Sequence, residues 1–132
     1  MAAPVHTDPV ALVRSIWSAY ASGGVDAVAA LVDHDVEWVP LSEGHAVPPD
    51  RMFGEAGRER ASRLSATAHR FEAHGECVLA HGSLRTFRES GFVDVQPSWV
   101  YFFRGGRLVR CVGYRTREDA LRAIAEFSAT GE

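Results

Sequence analysis

The residues of this 132-residue chain that could do acid–base chemistry are histidines and carboxylates next to apolar segments. His45 lies two residues after Glu43, in a loop that also contains glycine and proline. An imidazole changes its charge near neutral pH, and a neighbouring carboxylate can orient it, so this pair could move a proton. The alternative is a solvated loop, because polar loop residues usually face water, and we favour that interpretation.

The six histidines do not form a metal-binding pattern. None has the His-x-x-x-His spacing of a helical site, and there is no compact set of cysteines and histidines. The chain also lacks a phosphate-binding glycine loop and a nucleophile motif. Cys77 and Cys111 lie in apolar runs, where a free cysteine usually acts as a small buried hydrophobe. We therefore predict no metal and no cofactor.

The N-terminal half of the sequence has the periodicity of helices. Asp8 can cap a helix whose first residue is Pro9, and apolar residues then recur every three or four positions. Gly23 and Gly24 predict the end of this helix. The other elements expected here are a short helix at about 25–32, a strand at 35–41, a loop at 42–50 and a helix at about 55–67.

The C-terminal half has the period of strands, predicted at 68–74, 77–88, 92–103 and 107–115 and followed by a capped helix at about 116–127. Consecutive strands joined by tight turns form an antiparallel meander. We predict an α+β fold in which a cone-shaped, curved antiparallel sheet wraps the N-terminal helices, with a C-terminal helix. One domain is expected over residues 1–132, with a core of about 8–127.

Several short segments carry a resemblance to a known family. They are Tyr20–Ala27, Asp33–Trp38, Gly54–Arg58, Phe103–Arg110, and Tyr114 with Arg117–Leu121. Together with the order of elements, they resemble the nuclear transport factor 2-like superfamily, which includes ketosteroid isomerase, limonene epoxide hydrolase and SnoaL-like polyketide cyclases. The resemblance covers nearly the whole chain and implies a cone fold, a pocket and a homodimer. Members range from enzymes to binding modules, so it does not assign a function.

The catalytic residues of two of these enzymes do not occur at the matching positions. The base of ketosteroid isomerase falls at Trp38, its acidic donor at Ser98 and its tyrosine at about Ile16. Limonene epoxide hydrolase needs an aspartate two residues after its arginine, but Phe87 follows Arg85 at that distance. Because Trp38 occupies the position of the base, a hydrogen-bond donor elsewhere in the site would have no partner to accept the proton. We predict neither steroid isomerisation nor epoxide hydrolysis at these residues.

The same resemblance predicts which strand residues face the pocket. The inward sets are Gly82, Leu84, Thr86 and Arg88, then Gln96, Ser98 and Val100, then Cys111, Gly113 and Arg115. We predict that the ligand is a small, largely apolar organic molecule with one polar or anionic end. The predicted ligand-binding residues are Tyr20, Trp38, His45, Phe53, Arg88, Ser98, Cys111 and Arg115. Core packing of the aromatic residues and a solvated rim for the arginines remain the alternatives.

The sequence leaves two functions open. One is a cofactor-independent acid–base isomerase, cyclase or hydrolase, and the other is a non-catalytic ligand-binding or dimeric assembly module. A carboxylate or histidine inside the cavity would distinguish them. Glu37 and Asp94 are the carboxylates on the strands, and alternation places both on the outer face.

The outer face of the sheet is predicted to be rich in aromatic residues, and a monomer rarely exposes such a patch. We therefore expect a twofold homodimer joined through this face. The expected face consists of His81, Arg85, Phe87, Trp99, Tyr101, Phe103, Val112 and Tyr114.

Charge and hydropathy argue against two other classes of partner. The net charge is −3, with acids and arginines interleaved, so no basic face for nucleic acid is expected. No apolar run approaches the roughly 20 residues that span a bilayer. Residues 1–9 lack the basic start and apolar stretch of a signal peptide, and we expect a cytoplasmic protein.

Overall fold

The computed structural model describes residues 8–130. Most of the segment in which we predict no signal peptide, residues 1–7, lies outside that range, as do residues 131–132. None of the described helices is long and apolar enough to cross a membrane. The elements are α1 (Pro9–Ala29), β1 (Glu37–Val39), α2 (Pro49–Met52), α3 (Gly54–Ala61), β2 (Leu64–His74), β3 (Cys77–Arg88), β4 (Gly91–Val95), β5 (Ser98–Arg104), β6 (Arg107–Tyr114) and α4 (Arg117–Thr130).

Helix α1 begins where the sequence predicts and continues further. The Asp8 carboxylate accepts a hydrogen bond from the backbone N–H of Val10 at 3.1 Å, which caps the first turn. Gly24 takes a left-handed φ of 74°, which glycine adopts without a side-chain clash, and the helix resumes after it. The two helices predicted on either side of this glycine are therefore two arms of one kinked helix.

The strands form one curved six-stranded sheet, with the order β1-β6-β5-β3-β2 and with β4 also paired to β3. Strand β1 runs parallel to β6 and the other pairs are antiparallel, so the sheet is mixed. The predicted fold class is confirmed. The single strand expected at 92–103 is divided into β4 and β5 at Gln96–Pro97, where proline has no N–H to donate to a ladder. Strand β2 starts at Leu64, inside the segment predicted as helical.

Both faces of the sheet are buried along β5 and the first part of β3. The inner face packs on α1 through residues that include Val78, Ala80, Tyr101 and Phe103. The outer face packs under α4, where the Phe102 and Phe127 ring centroids lie 4.9 Å apart. A strand buried on both sides does not show a clean alternation of apolar and polar residues.

This two-sided burial corrects the predicted orientation of β5. Trp99, Tyr101 and Phe103 lie on the inner side, and Ser98 and Val100 lie on the outer side, the reverse of the prediction. The cross-strand pairs establish this, because Ser98 pairs with His81 whereas Tyr101 pairs with Val78. The orientation taken from the resemblance was therefore off by one residue on this strand, although it was correct for Leu84 and Cys111 on the neighbouring strands.

The predicted dimer surface needs a related correction. Trp99, Tyr101 and Phe103 belong to the inner face, and Val112 and Tyr114 pack in the cluster under α4. What remains of that surface is His81, Arg85 and Phe87, on the part of β3 that α4 does not cover.

Gly82 marks the point where β3 passes very close to β2. A Cβ atom there would lie 1.9 Å from the carbonyl oxygen of Thr67. The β2–β3 register shifts between Ala68 and Arg70, directly beside this contact. A bulge bends its strand, so this glycine permits the local curvature of the sheet over the cavity.

Candidate functional site

An apolar cavity of about 160 Å³ lies between α1, the α2–α3 segment and the inner face of the sheet. An engineered apolar cavity of about 150 Å³ stays dry and binds benzene. Sites for drug-sized ligands start at about 300 Å³. The space therefore suits a molecule of about one aromatic ring.

Aromatic rings lie on two sides of the cavity. Helix α1 contributes Trp17 and Tyr20, whose ring centroids lie 6.1 Å apart and meet edge to face. Trp99 of β5 lies 4.7 Å from Trp17 on one side. On the other side the rings of Trp38 and Phe53 are 5.6 Å apart and nearly perpendicular. Such edge contacts are favourable and hold the rings in fixed orientations.

A buried pair of weakly acidic groups lies on the sheet side of the cavity. Tyr101 and Cys111 are cross-strand partners on β5 and β6, and both line the cavity. Burial raises the pKa of the Tyr101 hydroxyl well above its usual range, and the neighbouring Cys111 adds to the effect. Burial also raises the pKa of the Cys111 thiol to about 12, and the neighbouring Tyr101 hydroxyl has a smaller, opposing effect. Both groups keep their protons at neutral pH and act as donors rather than bases.

The indole nitrogen of Trp17 is a third donor at this place. It is buried and has no hydrogen-bond partner among residues 8–130. It lies close enough to Tyr101 to act against the rise in the pKa of that hydroxyl, although the two groups do not have the geometry of a hydrogen bond. Buried polar groups are nearly always paired, so an indole N–H without a partner is an uncommon feature of this cavity wall.

The rim of the cavity carries a short chain of charged groups. Arg60 of α3 lines the cavity, and its Nε lies 3.7 Å from Oε2 of Glu43. The other oxygen of Glu43 lies 3.6 Å from Nε2 of His45. The loop that carries both residues is tied to β1, because the N–H of Val47 donates to the carbonyl of Trp38 at 2.8 Å. The predicted pair of Glu43 and His45 is thus in contact, at the entrance rather than inside.

The structure brings together four of the eight residues predicted to bind ligand. Tyr20, Trp38, Phe53 and Cys111 line the cavity. Their role in binding remains a prediction.

The other four lie elsewhere. His45 is exposed in the rim loop, and Arg88 and Arg115 are exposed at strand ends away from the cavity walls. Ser98 is fully buried on the outer side of the sheet, where its hydroxyl lies 3.2 Å from Nδ1 of His81. The misplacement of Ser98 follows from the orientation of β5.

Among the residues of the cavity wall that sequence reasoning did not name as candidates are Trp17, Trp99, Tyr101 and Arg60. Trp17 was in the predicted apolar stripe of the first helix, so its position gave a signal. Trp99 and Tyr101 would have been found with the correct orientation of β5. Arg60 gave no signal, because it lies in a helix with many exposed charges.

The cavity wall of the described chain contains no carboxylate and no histidine. Glu37 lies on the opposite side of β1 from Trp38, with Oε1 3.1 Å from Nε of Arg110. Asp94 accepts hydrogen bonds from Arg85 at 2.8 and 2.9 Å on the outer side of the β3–β4 hairpin. The residues described also contain no group of three potential metal-binding side chains.

Comparison with known proteins gives likeness in structure without likeness in sequence. No family model and no curated protein matches the chain. A nuclear transport factor 2-like protein from Burkholderia thailandensis has a TM-score of 0.68 at 14% identity, over 88% of this chain and 96% of its own. A SnoaL-like protein from Jannaschia sp. CCS1 has a TM-score of 0.62 at 17% identity, over 92% and 94%.

A third similar structure contains a bound small molecule. It is a protein with a ketosteroid isomerase-like fold from Catenulispora acidiphila, in complex with trimethylamine. Its TM-score is 0.62 at 15% identity, with 84% of this chain and 88% of that chain covered. At such identities the likeness concerns the fold.

Proposed function

We propose that this chain, whose fold is the nuclear transport factor 2-like cone, binds a small and largely apolar organic molecule of about one ring. The observation that carries the proposal is the cavity of about 160 Å³ with aromatic walls on both sides. Ligand sites are typically apolar clefts with a few placed polar groups. Here the placed polar groups are the Tyr101 hydroxyl and the Cys111 thiol on the sheet side, and the guanidinium of Arg60 at the rim.

The chemistry of these polar groups favours binding over turnover. Tyr101 and Cys111 hold their protons, and Arg60 carries a permanent positive charge. Donors of this kind can orient a ligand, whereas general base catalysis needs a group that accepts a proton within hydrogen-bond reach. The acid–base pair of Glu43 and His45 stays outside the cavity, so we propose a binding protein and keep the enzyme as its rival.

The aromatic walls also support a second candidate ligand, a methylated ammonium ion. Aromatic cages bind quaternary ammonium groups through cation–π attraction. A protein with a ketosteroid isomerase-like fold from Catenulispora acidiphila was solved in complex with trimethylamine, a methylated amine. Arg60 on the cavity wall opposes it, because a second cation in a site of low dielectric is repelled. We therefore favour a neutral aromatic ring.

Calorimetric titration with small probes tests the proposal. Styrene represents the neutral ring and tetramethylammonium the cation, and we expect the protein to bind styrene. Ala66 of β2 lines the cavity, so Ala66→Leu fills part of it and should weaken styrene binding at least about tenfold, the effect of about 1.4 kcal/mol. Binding of tetramethylammonium alone would replace the leading candidate with the second.

A control on the same strand separates filling of the cavity from damage to the sheet. Thr67 is the next residue, exposed on the opposite face, and Thr67→Leu should leave styrene binding unchanged. If Ala66→Leu binds styrene as well as the wild type does, the ligand does not occupy this cavity and the proposal fails.

We also infer a cytoplasmic homodimer. Both cysteines of the chain are free thiols, as is usual in a reducing compartment. The dimer would use the exposed outer side of the β3–β4 hairpin, where Phe87 and Phe92 are 48% and 54% exposed. Exposed aromatic residues next to each other are a common feature of interfaces.

A further inference from the structure

We propose that Arg60 binds the carboxylate of an aromatic acid whose ring lies in the apolar cavity, and that this ligand displaces Glu43 from the guanidinium. The inference rests on the proposed function and specifies the chemical class of the ligand. It assigns the anionic end of the ligand to a residue of α3 at the rim.

The first observation is that α3 directs a charged residue towards an apolar cavity. Gly57, Arg60 and Ala61 are spaced three and four residues apart, so they share one face of the helix, and all three line the cavity. Within residues 8–130, Arg60 is the only charged residue on the cavity wall. A charge beside apolar walls is unfavourable unless an anion compensates it.

The second observation is that Arg60 is shielded from water but has few partners. Its side chain is 22% exposed, whereas the other arginines that form ion pairs within residues 8–130 are 43% exposed or more. In the described chain its guanidinium donates one hydrogen bond, from Nη1 to Sδ of Met52 at 3.5 Å. A thioether is a weak acceptor, and a guanidinium has five N–H donors. Most of these donors therefore remain for a ligand or for water.

The third observation is that the contact between Glu43 and Arg60 is loose. Oε2 of Glu43 lies 3.7 Å from Nε of Arg60, beyond the distance of a hydrogen bond. Its Oε1 lies 3.6 Å from Nε2 of His45, and the Glu43 side chain is 34% exposed. A partly exposed pair of this kind contributes little free energy. A ligand carboxylate with two direct hydrogen bonds can therefore replace it.

The surroundings select a planar group with a single negative charge. The two oxygens of a carboxylate match the fork of the guanidinium. The cavity wall offers one cation, and Glu43 adds a negative charge nearby, so a phosphate with close to about two charges would be poorly compensated. At the rim the carboxylate keeps part of its hydration, while the ring enters the apolar space.

Two probes of the same shape isolate the charge. Benzoate and benzamide have the same number of non-hydrogen atoms, and only benzoate is charged at pH 7. In calorimetric titration the protein should bind benzoate at least about fivefold more tightly, because hydrogen bonds between charged groups are the stronger ones. Ala66→Leu should weaken the binding of both probes, since the two rings occupy the same cavity.

Substitution of Arg60 tests the assignment to this residue. Arg60→Gln should weaken benzoate binding about tenfold, the lower end for a hydrogen bond to a charged group, and benzamide binding by less than about twofold. Arg63→Gln is the matched control, because Arg63 is 64% exposed, lies 2.8 Å from Glu59 and is not part of the cavity wall. It removes the same charge and should leave the affinity for both probes unchanged.

A second variant tests the competition from Glu43 and leaves the cavity wall intact. Glu43→Gln removes the competing carboxylate, so benzoate binding should become about threefold stronger and benzamide binding should not change. A purely structural role of Glu43 would weaken the binding of both probes. Circular dichroism verifies that each variant is folded.

The possible outcomes separate this inference from the proposed function. If styrene binds but benzoate binds no more tightly than benzamide, or if Arg60→Gln and Arg63→Gln weaken benzoate binding equally, Arg60 does not hold a carboxylate while the cavity still binds ligand. Unchanged benzoate binding by Ala66→Leu would place the acid outside the cavity, and unchanged binding by Glu43→Gln would overturn the displacement. If styrene, benzoate and benzamide all fail to bind at millimolar concentration, the proposed function fails and this inference fails with it.

Discussion

At the scale of single residues, Glu72 of β2 shows how one partly buried carboxylate joins two elements. It accepts a hydrogen bond from Arg117 of α4 at 2.7 Å and lies 2.9 Å from Nε2 of His74. Nε of Arg70 lies 3.4 Å from its other oxygen. The hydrogen bonds from Arg117 and His74 lower the pKa of Glu72 to about 2, and burial acts in the opposite direction.

We predict that Glu72→Gln lowers the free energy of unfolding at pH 7 by about 1–2 kcal/mol, the range for a hydrogen-bonded carboxylate near the surface. A lowered pKa in the folded state stabilises the protein above the unfolded value near 4.5, and this contribution is lost as the pH falls towards 2. The difference between variant and wild type should therefore shrink between pH 5 and pH 2. Urea unfolding across that range measures it.

Glu118→Gln is the control, since this carboxylate on α4 is 85% exposed and 3.8 Å from its partner Arg122. This substitution should change the free energy of unfolding very little at any pH. A Glu72→Gln difference that stays constant down to pH 2 would show that Glu72 stabilises the fold by packing and not by its charge.

At the scale of elements, the contact between β2 and β3 depends on the missing side chain of Gly82. Its φ is not positive, so alanine is allowed there by the backbone. The added methyl group would meet backbone atoms of Thr67 and Ala68, which cannot rotate away as a side chain could. Gly82→Ala should lower the free energy of unfolding by about 1–3 kcal/mol, the usual result of overpacking, as measured by denaturant unfolding.

Gly113 of β6 provides the matched comparison. It is also a strand glycine without positive φ, but a Cβ there would lie 3.0–3.1 Å from Leu41, a much smaller conflict. Gly113→Ala should therefore cost less than Gly82→Ala. Equal effects would mean that the loss of flexibility at any strand glycine, and not the close approach at the bulge, determines the result.

The elements that could be predicted are those with a clear local signal. The cap at Asp8, the turns of the meander and the cap at Thr116 all have such signals, and the hydroxyl of Thr116 does accept from the N–H of Asp119 at 3.1 Å. No such signal shows which face of β5 packs on α1 and which packs under α4. Its run from Trp99 to Phe103 is apolar at every position, because α1 covers one face and α4 the other.

The same ambiguity explains which site residues were found. Tyr20, Trp38 and Cys111 line the cavity because a helical stripe and less ambiguous strands place them there, and Phe53 lines it from the junction of α2 and α3. The role of these four residues in binding stays a prediction. Tyr101 was assigned to the outer face and missed. A shift of one residue exchanges the two faces of a strand, and a long apolar run does not reveal such a shift.

At the scale of the whole molecule, α4 divides the outer face of the sheet into a covered and an uncovered part. The uncovered part includes the β3–β4 hairpin, where Phe87 and Phe92 are cross-strand partners on the outer side. The guanidinium of Arg85 lies 3.7 Å from the centre of the Phe92 ring and is paired with Asp94. An aromatic pair with a balanced ion pair beside it is self-complementary, as a twofold interface requires.

We predict that the protein elutes at twice its 14.4 kDa mass at micromolar concentration, and that the double substitution of Phe87→Ser with Phe92→Ser makes it a monomer. Exposed aromatic residues commonly supply much of the energy of an interface, so the loss of both should weaken association by a large factor. Size exclusion with light scattering measures the mass, and circular dichroism verifies that the variant is folded.

Val93 provides the control for this experiment, because it follows Phe92 in β4, is 44% exposed, and lies on the opposite face of the hairpin. Val93→Ser should remain a dimer if the outer side forms the contact. A wild-type monomer would contradict the dimer altogether. A double variant that stays dimeric would place the interface elsewhere on the molecule. A monomer with Val93→Ser as well would show that the hairpin associates through both faces, as a strand exchanged between two copies would do.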